Sequence, residues 1–336
     1  MTTMRAWAVE RPGPAAGRPL RLVERDVPAV LVDGLLVQVE ACGVCRTDLH
    51  LVEGDLPPRG SGVVPGHQVV GTVVEHGSAT TRFAVGDRVG IAWLRSTCGE
   101  CRWCRSGAEN LCTRASFTGW DADGGFAQYA AVPAAYAYPL PAALSAEQAA
   151  PLLCAGIIGY RALRRANLPP GGRLGIYGFG SSAHLTGQLA LAEGAELHVM
   201  TRDENDRALA RTLGATWVGT GDAVAPVPLD AAIVFAPAGE LVPVALSAVD
   251  RGGTVVLAGI HMSDVPPLTY RDHLFMERDL RSVAANTRRD GEELLVLAAR
   301  LGLRAHVTSY PFDHADEALR DLAGGRISGS AVLTVG

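Results

Sequence analysis

The stretch "RLGIYGFGSSAHLTGQLALAEG", Arg173 to Gly194, decides the fold. Its first half is a short apolar run bounded by glycine, of strand length; its second half carries apolar residues at helical spacing. Between them stands Gly178-x-Gly180-x-x-Ala183. A strand that stops in a glycine turn and opens a helix is the arrangement that binds a dinucleotide, with the pyrophosphate against the helix N-terminus. The spacing alone is a weak signal, and its surroundings strengthen it. "ELHVMT", "DAAIVFAP" and "TVVLAGI" read as strands, while "DENDRALARTLG" and "LVPVALSAVDRGG" read as helices between them. Strand and helix in strict alternation predict a doubly wound parallel sheet.

About twenty residues past such a turn, an enzyme that uses NAD presents a carboxylate to the ribose hydroxyls. Here that position is Thr201, followed by Arg202. A missing carboxylate with an Arg alongside favours the 2′-phosphate of NADP, while Asp203 and Glu204 keep NAD open as the alternative.

Upstream, the texture changes. The first ~150 residues hold short Val- and Gly-rich runs such as "LLVQVEAC", "VVGTVVEHG" and "FAVGDRVGIAW", the pattern of an all-β, barrel-like region. Downstream, "TSYPFDHADEALRDLAGGRISGSAVLTVG" returns to short strand, helix and strand and is expected to rejoin the first region. The ranges that follow are 1–152, 153–287 and 288–336. A chain of 336 residues is long enough for two cores.

Composition excludes several function classes. A net charge of −5 argues against a protein built to grip nucleic acid. The most apolar segment, "AAPLLCAGIIGY", is too short for a membrane span, and "MTTMRAWAVERPG" is no secretory leader, so a cytoplasmic location is expected. All thirty basic residues are arginine, which rules out Schiff-base and Walker-type lysine chemistry. In a reducing compartment, seven cysteines point to metal ligands before disulfides.

The sharpest metal signal is "CGECRWCRSGAENLC", inside a lobe spanning 95–113. Cys98, Cys101, Cys104 and Cys112 can close a tetrahedron of thiolates around zinc; an iron–sulfur cluster is the less favoured occupant. Four sulfur ligands leave no place for substrate, so the site reads as structural. Cys42, Cys45 and Cys154 are left over. Cys42 and Cys45 share the C-x-x-C spacing of either a redox pair or half a zinc site. Cys45, His67 and Cys154 would together supply three ligands and leave one position open, as catalytic zinc requires.

In combination, "CGVCRTDLH", "GHQVVG", the four-cysteine lobe, "GDRVG", "DGGFAQY" and the glycine turn resemble the zinc-dependent, medium-chain alcohol dehydrogenase family along essentially the whole chain. The resemblance implies a GroES-like catalytic domain joined to a Rossmann domain. It places Cys45, His67 and Cys154 on the catalytic zinc and the four lobe cysteines on a structural zinc. Cys42 falls on a small buried residue that binds no metal. Thr47 and His50 fall on a proton relay, Asp48 on a carboxylate that orients the ligand histidine, and Arg46 on a contact to the cofactor pyrophosphate. Trp93 falls on an aromatic wall of the alcohol site, and Phe235, Ala258 and Gly259 lie nearest the expected nicotinamide. Gln68 departs from the family's usual Glu.

The function so implied is hydride transfer between a primary alcohol or aldehyde and a nicotinamide cofactor, with NADP(H) favoured over NAD(H) and two zinc ions per chain. The family also implies a homodimer or homotetramer. Two rivals stand beside this: an NAD-dependent polyol or secondary-alcohol dehydrogenase, and a dinucleotide-binding protein without catalysis. A zinc-lobe nucleic-acid binder is disfavoured by the acidic balance.

Overall fold

A computed structural model describes residues 2–60 and 62–335. Two units share the chain: Met1–Cys154 with Ala285–Ala299 and Val307–Gly336, and Ala155–Ala284 with Arg300–His306. This division differs from the expected ranges at three places. Leu153 and Cys154 belong to the first unit, residues 285–287 already rejoin it, and residues 300–306 return to the second before the chain goes back to the first.

The first unit is built on a seven-stranded sheet. Its path runs Val307–Pro311, Ser330–Thr334, Gly34–Val44, Val69–His76, Arg88–Ile91 and Ala137–Pro139, with Tyr129–Pro133 also paired to Gly34–Val44. All its pairs are antiparallel except that between Val307–Pro311 and Ser330–Thr334. Alternating apolar residues send Leu35, Val37, Val39, Val69, Val73, Val89 and Ile91 into one core, with Phe126 among them. Each such side chain contributes about 1.5–3 kcal/mol on burial. The late strand Ser330–Thr334 pairs Ala331 with Val44 and Thr334 with Ala41, so the C-terminal segment completes the sheet that carries the cysteine motif.

In the second unit, six parallel strands lie in the order Trp217–Gly219, Glu196–Met200, Arg173–Tyr177, Leu229–Val234, Val249–Leu257, Asp279–Ser282. Numbered along the chain this is 3-2-1-4-5-6, the doubly wound order whose switch point lies beside the first strand. The central strands are buried on both faces, which explains their continuous apolar runs. The two outer strands are half-buried or exposed. Among the described residues no helix is long and apolar enough to cross a membrane.

Candidate metal and cofactor sites

In the first unit, the strand Gly34–Val44 delivers the chain to Cys45, which caps the helix Arg46–Glu53. Cys45 is the right residue for that place because its sulfur accepts the Thr47 N–H at 3.3 Å. Asp48, three residues on, closes the turn by accepting the Cys45 N–H at 2.9 Å. Its other oxygen accepts the Gly66 N–H at 3.0 Å and faces His67 Nδ1 at 3.1 Å. One buried carboxylate therefore holds both the helix start and the histidine.

With Nδ1 engaged by Asp48, His67 directs Nε2 at Cys45 Sγ, 3.4 Å away. Cys154 joins them from the π-helical turn Leu152–Gly156, which follows Pro151 at the end of the helix Ala146–Pro151. Proline has no N–H to continue the helical ladder, and the wider turn puts the thiol next to Cys45. The ligand atoms of Cys45, His67 and Cys154 all lie within 4.8 Å of one another.

The charges lean the same way. Cys45 is held well below the usual thiol range, first by the hydrogen bond from Cys154 and then, against burial, by His67. Cys154 is pushed well above that range by the same bond and by burial. Burial opposes charge on His67, yet Asp48 and the Cys45 sulfur together raise the ring well above its ordinary value. The centre of this set favours positive charge. Two sulfurs and one imidazole nitrogen, with the histidine oriented by a carboxylate, are the donors of an open zinc site. They fit that metal.

Cys42 is not part of the set. It is fully buried, its sulfur would lie 2.8 Å from a Cβ placed on Gly66, and burial raises its thiol. Gln68 is buried against the strand: a Cβ on Gly43 would fall 2.4 Å from its Oε1. Thr47 is buried two residues after the Cys45 cap, and His50, one turn on, pairs through Nδ1 with Asp55 Oδ2 at 2.9 Å. Arg46 is exposed and belongs to the first unit, whereas the other expected cofactor residues belong to the second.

The lobe cysteines also converge. Sulfur–sulfur separations are 3.5 Å for Cys101–Cys104 and Cys98–Cys112 and 3.9 Å for Cys98–Cys104. A tetrahedron with zinc–sulfur bonds of about 2.3 Å has edges of about 3.8 Å, so this set fits a closed zinc site. The N–H of Cys101 donates to Cys98 Sγ at 3.4 Å, and the N–H of Arg114 to Cys112 Sγ at 3.4 Å. Backbone donors of Glu100 and Cys101 lower the Cys98 thiol to about 6.

Two features near these sites escaped the sequence reading. Trp93 meets His67 edge to face at 5.1 Å, but it stands in a stack with Phe117 at 4.9 Å and Trp120 at 6.1 Å. Arg59 covers the Trp120 ring at 4.0 Å and pairs with Asp121 at 2.7 Å. Neither Phe117 nor Trp120 carries a periodic signal, because both lie in short irregular segments. The lobe is also tethered by Glu109, whose carboxylate takes the N–H of Arg288 at 2.8 Å and its guanidinium at 2.7 Å.

In the second unit, the expected cofactor residues gather at the carboxyl ends of neighbouring strands. Gly178, at φ +83°, donates to Met200 O at 2.8 Å, which brings the turn beside Thr201. A side chain is excluded there, since its Cβ would lie 2.9 Å from Ala236 N. Gly180 caps the helix Ser181–Ala192 and has open space where a Cβ would stand; Ala183 is buried beneath. Phe235 N–H donates to Tyr177 O at 2.9 Å and Ala258 N–H to Val234 O at 2.9 Å, and Gly259 lies against Phe235 O. This backbone cradle fits a dinucleotide. Thr201 is buried and Arg202 exposed, and its guanidinium makes no side-chain hydrogen bond or ion pair among the described residues. Asp203 caps the next helix, accepting from Asn205 N–H at 2.8 Å, and Glu204 pairs with Arg207 and Arg211.

Residues 32–142 match the alcohol dehydrogenase GroES-like domain and residues 183–300 the zinc-binding dehydrogenase domain. A probable alcohol dehydrogenase, AdhA, of Mycobacterium tuberculosis is 56% identical over 338 residues, covering 99% of this chain and 98% of its own. The cobalt- and zinc-bound thermostable alcohol dehydrogenase from Pyrobaculum aerophilum superposes with a TM-score of 0.90 at 26% identity, over 99% of this chain and 100% of that one. A zinc-binding dehydrogenase from Sinorhizobium meliloti, bound to NADP, gives 0.88 at 28% identity over the full length of both.

Proposed function

Because the chain belongs to the zinc-binding, medium-chain alcohol dehydrogenase family and is an oxidoreductase, we propose that it is a zinc-dependent, NADP(H)-preferring alcohol dehydrogenase and aldehyde reductase for small primary substrates. The observation that carries this reading is the convergence of Cys45, His67 and Cys154 on one point, with three donors where zinc takes four. Zinc held there supplies a Lewis acid that acidifies a hydroxyl or polarises a carbonyl. Asp48 keeps the His67 Nε2 lone pair aimed at the metal. Thr47 and His50, the latter paired with Asp55, would be the protein's members of the relay that carries the hydroxyl proton toward solvent. Hydride transfer is the chemistry of the nicotinamide, which Phe235, Ala258 and Gly259 border. The lobe cysteines hold a second, structural zinc.

NADP preference rests on how the charges after Met200 are occupied. Asp203 is engaged through Oδ1 by the helix cap and Glu204 by two arginines, which disfavours either as the partner of a ribose diol. Arg202 is exposed and ready for a 2′-phosphate. Zinc analysis and steady-state kinetics test both halves: two zinc ions per chain, turnover of primary alcohols, and Arg202→Ala raising KM for NADPH by about tenfold or more with little change for NADH. One zinc per chain would overturn the two-site assignment, a native preference for NADH the cofactor assignment, and absence of turnover would favour a non-catalytic dinucleotide binder. Assembly into a homodimer or homotetramer is part of the proposal. The edge strand Asp279–Ser282 and the neighbouring Tyr270 and Phe275 are exposed on the single chain.

A further inference from the structure

His184 lies on the helix that opens at the glycine turn, and its side chain is fully buried. Its two ring nitrogens make backbone contacts of opposite sense, and the Ser181 backbone adds to the one at Gly180. Nδ1 lies 3.2 Å from Gly180 O, and Nε2 lies 3.1 Å from the backbone N of His306. An amide N–H only donates, so Nε2 must accept, and the proton must sit on Nδ1, where it is given to Gly180 O. The contacts therefore define a neutral ring in one tautomer. A charged ring would set two donors against each other at His306.

Gln188, one turn on and on the same helix face, repeats the arrangement. Its Nε2 donates to Arg304 O at 2.9 Å, and its Oε1 accepts the Arg304 N–H at 3.1 Å. Together the two side chains fasten residues 304–306 to the helix, within the second unit.

The Gly180 carbonyl takes the backbone N–H of His184 at 3.1 Å as well as its ring. Because the peptide bond is planar, fixing that carbonyl also fixes the Ser181 N–H, which points the opposite way, along the helix axis toward its N-terminal end. That is the direction from which a helix N-terminus meets phosphate. We propose that His184, as its neutral Nδ1–H tautomer, is a positioning residue that holds the Gly180–Ser181 peptide plane ready for the cofactor pyrophosphate, braced through Nε2 on His306. The inference rests on the dinucleotide reading of the Gly178–Ala183 turn.

Two near-isosteric substitutions separate the contacts. Asn reproduces a donor at the Nδ1 position and loses His306; Gln reproduces an acceptor at the Nε2 position and loses Gly180. Titrating NADPH against the zinc-loaded native protein, His184→Asn and His184→Gln should give Kd within about twofold of native for Asn and about tenfold weaker for Gln. At saturating NADPH, kcat should change less than about twofold in either. Melting without cofactor should show Asn at least as destabilised as Gln, so affinity and stability move in opposite orders. Equal Kd in all three proteins, or Asn binding more weakly than Gln, would overturn the proposal and leave His184 a packing residue. Nitrogen NMR of the histidine-labelled native protein gives a test that needs no variant to fold. A neutral, Nδ1-protonated ring at pH 7 is required, and no such ring among the histidines refutes it. If the native protein binds neither NADPH nor NADH, the reading of the turn itself fails, and the proposal with it.

Discussion

The first unit holds two sets of thiols that differ in how far the chain must travel to make them. The lobe gathers Cys98, Cys101, Cys104 and Cys112 from fifteen consecutive residues and supports their sulfurs with its own amides. The other set takes Cys45, His67 and Cys154 from three segments spread over more than a hundred residues, and depends on Asp48 for its alignment. A local set needs only turns; a dispersed one needs the whole sheet to be in register. On the proposed reading the local set is closed by four sulfurs, whereas the dispersed set would keep a coordination position for substrate. On that reading, distance along the chain separates a stabilising metal from a working one.

The largest effect should come from breaking each set once. Cys45→Ser removes a ligand where chemistry is done, so kcat/KM should fall about a thousandfold or more, about 4 kcal/mol of transition-state stabilisation. Its melting temperature should change little. Cys101→Ser should do the reverse, lowering the melting temperature while activity per folded molecule stays within a few-fold. Activity assays paired with thermal melts read both. If the two variants lose activity and stability in the same proportion, the division of labour between the sets is wrong.

A smaller effect sharpens the comparison. Asp48 aligns a ligand through a carboxylate, whereas the lobe sulfurs take backbone amides of their own segment. Asp48→Asn keeps the size of the side chain but removes the charge that sets the His67 tautomer. Zinc affinity at the dispersed set, or kcat, should fall about 10–100-fold, with the lobe zinc retained. Metal content after graded chelation distinguishes the sites. Loss of the lobe zinc first would mean that Asp48 supports the fold of the region and not the histidine alone.

The same contrast explains what could be read from residues alone. The lobe was legible because its spacing is its geometry. The parallel sheet was legible through Ile176, Val199 and Ile233, which lie in apolar runs because both faces of their strands are covered. Its outer strands Trp217–Gly219 and Asp279–Ser282 were not, since residues such as Asp279 and Ser282 face solvent and leave no apolar pattern. The dispersed ligands needed the family resemblance, because nothing in local sequence ties His67 to Cys154. Pro151 was the one local hint of the unusual turn that presents Cys154. The Glu109–Arg288 tether spans 179 residues and had no signal at all.

The smallest effect concerns the wall beside the dispersed set. Trp93 touches His67 edge to face and is only half-buried, so it borders the proposed metal ligand without being sealed into the core. Phe117 and Trp120 stack with it, and Trp120 is itself held by a hydrogen bond from Nε1 to Pro57 O at 2.9 Å and by Arg59. A ring with two stacked neighbours and an anchored third member is stiff, so it should exclude bulk from the space next to His67 and favour slender primary alcohols. Trp93→Ala removes the ring nearest the metal while leaving Phe117 and Trp120 to keep the wall upright. The ratio of kcat/KM for a branched secondary alcohol to that for ethanol should rise about tenfold, because a pocket discriminates through differential transition-state binding worth about 1–3 kcal/mol per small group. A buried Trp removed from a true core would instead cost about 3–5 kcal/mol of stability and leave the rank order of substrates alone. A substrate panel and a thermal melt on the same two proteins decide between these: a large loss of stability with an unchanged ranking would assign Trp93 to packing and withdraw the preference for small alcohols.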